Sequence, residues 1–282
     1  MTDTSAPLAS RRRLPVSILI GTGLAVVIVA AAVLAPSLIP FDPMRMAAGP
    51  RLAAPSFDHL FGTDEFGRDL FSRVLTGGRL SLGIGLTAVV SGLAIGGLIG
   101  LVAAFAGRLV EATLLRIIDV LYSFPDTLIA LALVAFLGPG IENATLAIAI
   151  SLVPFYARVT YGLAAAERAK PYVEAAKLAG IHTGRLGRVH VMPNIGQSLV
   201  VMGTLGFSSA ILSAAGLSFL GLGVQPPSPE WGAILASGRN YINKAPWILI
   251  FPGVAICLTV LSFNLIGDSL RDLVDPRRKD RS

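Results

Sequence analysis

The chain alternates long apolar runs with short polar breaks, and each run is about as long as the ~20 residues that a membrane-crossing helix needs. The runs cover residues 14–39, 80–106, 113–137, 144–166, 195–222 and 247–270. Six spans are therefore expected, with both ends of the chain on one side. The first run follows Arg11, Arg12 and Arg13 and exceeds the ~7–15 apolar residues of a cleavable leader, so it reads as an uncleaved span. Two polar stretches interrupt the series: the connection 40–79 and an island at 167–194. In the island, Pro171 suits a first helical turn, residues 173–179 are helix-compatible and Gly180 is placed for a left-handed cap. A short helix held at a membrane surface is expected there.

Several residues stand out against the apolar background. Gly92, Gly96 and Gly100 recur every fourth position of the second run, a ridge that lets another helix pack closely, within the chain or against a partner. The third run contains Ser123-Phe124-Pro125-Asp126. Counted along a continuous helix, Asp126 lies about 18 Å from one end, close to mid-bilayer, which makes it a candidate for the translocation path. The competing reading is a carboxylate that satisfies backbone groups freed by Pro125. Arg158 is read as snorkelling to headgroups, and Pro154 as a kink in the fourth span. In 40–79, His59, Asp64, Glu65 and Asp69 lack any recognised metal-ligand spacing. A glycine turn leading into an amphipathic helix, with Phe66, Leu70, Phe71 and Val74 on its apolar side, is expected instead. Trp231, Tyr241 and Trp247 fit an interfacial aromatic belt.

Composition supports a membrane protein: 54% of the 282 residues are hydrophobic and 14% charged, against roughly 25% charged in a soluble domain. The net charge of +6 could point to nucleic acid, but its placement does not. Seven of the 23 basic residues (Arg45, Arg51, Arg68, Arg73, Arg79, Arg239, Lys244) and seven acids fall on the expected outer segments. The outside is then neutral and the whole excess lies inside, as the positive-inside rule requires. Cys257 is the single cysteine and reads as a small core residue, with no internal disulfide available. No G-x-x-x-x-G-K-[ST] loop is present, and the short inner segments offer no room for a nucleotide-binding fold. His182 and His190 have no nucleophile or metal set beside them, which argues against an enzyme. A proton-coupled carrier using Asp126 is the alternative of a different class, but no segment occurs twice, as such carriers often require.

The island also carries Glu174-Ala175-Ala176, three residues, Gly180, and then Pro193. In this the chain resembles the inner-membrane permeases of binding-protein-dependent ABC importers. GTDEFGRD at 62–69, LGPG at 137–140, HVMPN at 190–194, LSFLGLGVQPP at 217–227 and FNLIGDSLRDLVDPR at 263–277 resemble the dipeptide, oligopeptide and nickel group, C-type subunit. The resemblance implies an all-α integral membrane fold of six transmembrane helices, of the type I importer, methionine-permease-like kind. It divides the chain into an inner tail (1–13), a first span with its periplasmic connection (14–79), a permease core (80–270) containing the coupling segment 167–194, and a basic tail (271–282). It implies that Glu174, Ala175, Ala176, Gly180, Arg185, His190 and Pro193 couple to a separate ATPase, with Asp126, Pro125 and Ser218 as path candidates. The implied partners are a homologous B-type permease, one or two ABC ATPase subunits, a periplasmic or lipid-anchored binding protein and membrane lipid, with no nucleic acid. ATP and Mg would be bound by the ATPases, and this chain would bind no cofactor. The implied location is a bacterial inner membrane with both termini cytoplasmic. Dipeptides or short oligopeptides are the leading cargo, and nickel, glutathione, opines or sugars the alternatives.

Overall fold

The computed structural model describes residues 16–274, so the basic clusters at Arg11–Arg13 and at Arg277, Arg278, Lys279 and Arg281 lie outside the described residues. The described chain is built from helices. These are α1 (Val16–Val33), α2 (Ala35–Leu38), α3 (Leu70–Phe105), α4 (Arg108–Tyr122), α5 (Asp126–Leu137), α6 (Ile141–Arg168) and α7 (Pro171–Leu178). Next come α8 (Thr183–Arg185), a π-helical turn (Leu186–Val191) and α9 (Met192–Phe219), then α10 (Trp231–Gly238), a 3-10 turn (Arg239–Tyr241) and α11 (Trp247–Val274). Residues 271–274 continue the last helix, so the tail expected from 271 begins as helix.

Five helices, α1, α3, α6, α9 with its lead-in, and α11, are long and apolar enough to cross a membrane. The expected third span differs from the other five. It is two helices, α4 and α5, bent by 87° at Ser123–Pro125. Pro125 has no N–H to donate and disfavours helical backbone at Phe124, so α4 cannot run on. Ser123 closes α4 by donating its hydroxyl to the Val120 carbonyl at 2.6 Å, and Pro125 itself caps α5. The depth of about 18 Å inferred for Asp126 assumed an unbroken rise and does not apply.

The second span starts earlier than its hydropathy indicates. Helix α3 has 36 residues, or roughly 54 Å against a hydrocarbon core of ~30 Å. It absorbs the expected amphipathic helix, with Leu70 and Val74 buried, while Phe66 stays outside and exposed, its ring under the Arg68 guanidinium at 4.6 Å. Asp69 sets the start by accepting from the Ser72 N–H at 2.8 Å and the Ser72 hydroxyl at 2.7 Å.

The glycine ridge of α3 faces α6 within the chain. A Cβ at Gly92 would sit 2.9 Å from the Ala149 carbonyl oxygen, one at Gly96 2.6 Å from that of Val153, and one at Gly100 against that of Ala157. The two backbones meet there, with Tyr156 fully buried beside the contact. Helices α9 and α11 complete the bundle, and α1 leans on α11, where Ser17 and Ser269 hydroxyls are 2.8 Å apart.

Residues 40–69 fold back over one end of this bundle as a cap. Trp247 Nε1 donates to the Thr63 carbonyl at 3.1 Å, Arg73 reaches the Pro43 carbonyl at 2.9 Å, and Phe61 stacks on Phe251 with centroids 3.9 Å apart. Inside the cap the charges are paired with one another. Arg68 Nε meets Asp64 Oδ2 at 2.6 Å, Arg73 Nε lies 3.5 Å from the same oxygen, and His59 Nδ1 is 2.9 Å from Asp69 Oδ1. The carboxylates weighed as metal ligands are thus engaged in ion pairs and a helix cap.

Candidate functional site

At the end of the bundle opposite the cap, the chain leaves α6 at Arg168 and re-enters α9 at Met192. The segment between is held by one small apolar cluster in which Val173, Leu186, Val191 and Ile195 pack with Ala104 and Ala164. Val173 is the one fully buried residue of α7, at 1% exposure, and Ala176 packs on the same cluster beside it. Pro171 starts the helix, where a missing N–H costs nothing. Its end is a Schellman closure: Gly180 has φ +81°, its N–H donates to Lys177 at 3.0 Å, and Ile181 N–H donates to Ala176 at 3.2 Å. The second bond needs the left-handed turn at residue 180 that glycine supplies.

Polar bonds behind α7 hold its angle. Tyr172 donates its hydroxyl to Glu167 Oε1 at 2.7 Å and accepts from Asn194 Nδ2 at 3.0 Å, while Lys170 pairs with Glu167 at 2.6 Å. Burial, and then the bond to Glu167, push the Tyr172 phenol above its usual range, so it remains a donor. Asn194 also donates to the His190 carbonyl at 2.6 Å, and Arg168 donates to the Ala104 carbonyl.

With the rear face fixed, the front is free. Glu174, Ala175, Lys177 and Ala179 are exposed, and Leu178 is 83% exposed. Ala176 is half-buried, and Arg185 on α8 is exposed. Among the described residues, neither Glu174 nor Arg185 has a side-chain bond or ion pair. A hollow of about 480 Å³ opens beside α7, lined by Arg168, Glu174, Lys177 and Thr183 together with the α3–α4 turn at Ala106–Gly107. His190 and Pro193 do not line this hollow; the first lends its carbonyl to Asn194 and Tyr172, and the second lies in the first turn of α9. Leu178, Tyr172 and Asn194 escaped the sequence reading. Asn194 lies inside the HVMPN word and Tyr172 two residues before Glu174, but nothing local signals that they bond to each other.

A second feature lies at the bent span. A cavity of about 540 Å³ is lined by Tyr122, Pro125, Asp126, Ser151, Phe155 and Ser209, among others. Asp126, the first residue of α5, is half-buried; its carboxylate accepts from the Thr127 N–H of the helix's first turn at 2.8 Å, and the residue lines the cavity. Ser218 is not part of it: it is 3% exposed and accepts from the Val224 N–H at 3.1 Å, closing the turn after α9. Arg158 has a protein partner, with Nη1 3.4 Å from Asp119 Oδ1 across α4 and α6.

The family model of binding-protein-dependent transport system inner membrane components matches residues 73–280. The chain belongs to that family. The permease is 48% identical over 259 residues to the di/tripeptide transport system permease DppC of Pseudomonas aeruginosa, covering 90% of this chain and 86% of that one. It is 47% identical over 229 residues to the dipeptide transport system permease DppC of Alkalihalophilus pseudofirmus, covering 81% and 75%. Among solved structures, an inward-facing MetNI methionine ABC transporter matches with TM-score 0.57 and 19% identity, over 70% of this chain and 93% of that chain. That likeness fixes the fold as the type I importer permease kind. The permease is therefore a multi-pass inner-membrane transport component and not an enzyme.

Proposed function

We propose that the permease forms half of the membrane pathway of an ATP-driven importer of dipeptides or short oligopeptides, and that α7 is the element through which ATP hydrolysis moves it. The observation that carries this reading is the division of α7 into a bonded rear face and an unpaired front face. Glu174, Ala175, Leu178 and Arg185 present a slim, charged-and-apolar surface, the form that suits insertion into a groove of a partner. The peptide cargo rests on the names of the relatives.

In this account the cap end is periplasmic and α7 and both termini are cytoplasmic. ATP and Mg are bound by one or two partner ATPase subunits, and this chain binds no cofactor. A homologous permease pairs with it, and a periplasmic or lipid-anchored binding protein delivers the cargo. Rocking of the bundle, driven by differential docking of α7 in two states, gives alternating access. Asp126 and Pro125 belong to the path through the cavity at the bend.

Two experiments test the two halves. Glu174→Lys is expected to assemble normally yet lose uptake and substrate-stimulated ATPase; normal values of both in the purified complex would remove the coupling role. Asp126→Asn is expected to lower uptake severalfold without loss of assembly. Equal reactivity of an Asp126→Cys variant in ATP-bound and resting complexes would count against the path.

A further inference from the structure

A groove of about 590 Å³ runs down the outside of the bundle between α1, α3, α9 and α11, and its lining residues are distinct from those of the hollow beside α7 and of the cavity at the bend. Its walls include Val33 of α1, Leu86 and Val90 of α3, Val200 and Phe207 of α9 and Phe263 of α11. Leu86, Val90, Val33 and Val200 are each more than half exposed, so the trough is open along its length. Gly83 lines the groove at an exposed position, where an added Cβ would meet nothing within 4 Å. One lining residue is charged: Arg79, toward the cap end of α3.

Three observations define what fits. First, Arg79 is exposed and has no ion-pair or hydrogen-bond partner among the described residues. The nearby acid Glu230 does not neutralise it, because Glu230 is 1% exposed with its oxygens taken by the Ser81 hydroxyl at 3.0 Å and the Ala233 N–H at 2.9 Å. Second, Arg79 stands 26 residues from Phe105 at the opposite end of α3, about 39 Å, the separation of the two headgroup layers across a bilayer ~40–45 Å thick. Third, the groove continues from Arg79 to Leu93, about 21 Å along the helix, which spans one leaflet's hydrocarbon of ~15 Å plus its headgroup layer.

We propose that this groove is a binding site for an anionic phospholipid of the cap-end leaflet, with one acyl chain along α3 and its phosphate on Arg79. An arginine that only snorkels into bulk headgroups would need no trough beneath it. Here the cation and the trough share one wall, and a guanidinium pairs with phosphate through two parallel hydrogen bonds. Such a lipid would fill the space between α1 and the rest of the bundle. The inference does not depend on the peptide-import reading.

The test uses the full chain, purified from membranes with its co-purifying subunits and equilibrated with equal phosphatidylglycerol and phosphatidylcholine, then examined by native mass spectrometry. The wild type is expected to retain about one phosphatidylglycerol per chain in preference to phosphatidylcholine. Gly83→Phe, which fills the trough, is expected to lose both lipids while eluting with the same subunits. Arg79→Gln, at an exposed position, is expected to keep a phospholipid but lose the preference for phosphatidylglycerol by about fivefold, the effect of one surface cation. Undiminished retention in Gly83→Phe, or an unchanged preference in Arg79→Gln, would overturn the proposal. So would disulfide capture of a partner-subunit helix, instead of a lipid, by Leu86→Cys.

Discussion

The cap at 40–69 and the α7 segment have similar polar composition and opposite treatment of charge. Asp64, Glu65 and Arg68 of the cap and Arg73 at the start of α3 are each less than 9% exposed and pair with one another, while the equally buried Asp69 pairs with His59. Around α7, Glu174, Lys177 and Arg185 stand in solvent, and the internal bonds belong to Tyr172, Glu167 and Asn194 on the rear side. Charge that is buried and paired holds one geometry, because breaking it exposes an uncompensated ion. Charge left exposed contributes little to stability and is free to meet a partner. The first arrangement suits a fixed lid, the second the docking surface proposed for α7.

The largest expected effect breaks the cap. Arg68→Ala strips Asp64 of its 2.6 Å partner and leaves Arg73 at 3.5 Å as its one remaining cation. A loss of about 3 kcal/mol is expected, read as a lower thermal midpoint of the purified chain. Glu174→Lys, the matching change on the coupling side, should move the same midpoint by no more than ~0.5 kcal/mol while abolishing transport. Equal destabilisation by the two would erase the contrast.

A smaller effect sharpens it. Burial holds the Glu65 carboxyl above its ordinary value of 4.5, and its Oε2 has no partner. The folded state therefore binds this proton more tightly than the unfolded state. Glu65 contributes a loss of stability as pH rises from about 4.5 through its raised folded pKa, and a constant penalty above it. Glu65→Gln should flatten that part of the pH–stability curve, measured from thermal midpoints across the window. An unaltered slope would show that the buried carboxyl is not what responds.

The α7 site was legible in the sequence because its signals are local. Pro171 and Gly180 fix a short helix by backbone rules alone, and the spacing from Glu174 to Pro193 adds the family resemblance. Five spans were legible for the same reason, as uninterrupted runs of apolar side chains. The apolar stretch 113–137 was legible too, but its bend was not, because hydropathy reads composition and not direction: residues on both sides of Pro125 are apolar, so the 87° bend leaves no trace in the average. The interior of the cap was not legible, for the converse reason. Its charges resemble a solvated loop, and only the tertiary pairing of Arg68 and Arg73 with Asp64 shows them to be interior. The glycine ridge was visible as a packing face, but its partner, α6, was not, since small residues specify close approach without naming what approaches.

The central claim is that the exposed face of α7 sits in a partner ATPase. It is tested most directly by placing a cysteine at Leu178, with Cys257 replaced by serine, and treating the intact complex in membranes with a short bifunctional thiol reagent. The account predicts a crosslink from position 178 to the ATPase subunit whose yield changes when ATP is bound. A position 178 that stays freely reactive in the assembled complex, with no crosslink in either state, would contradict it.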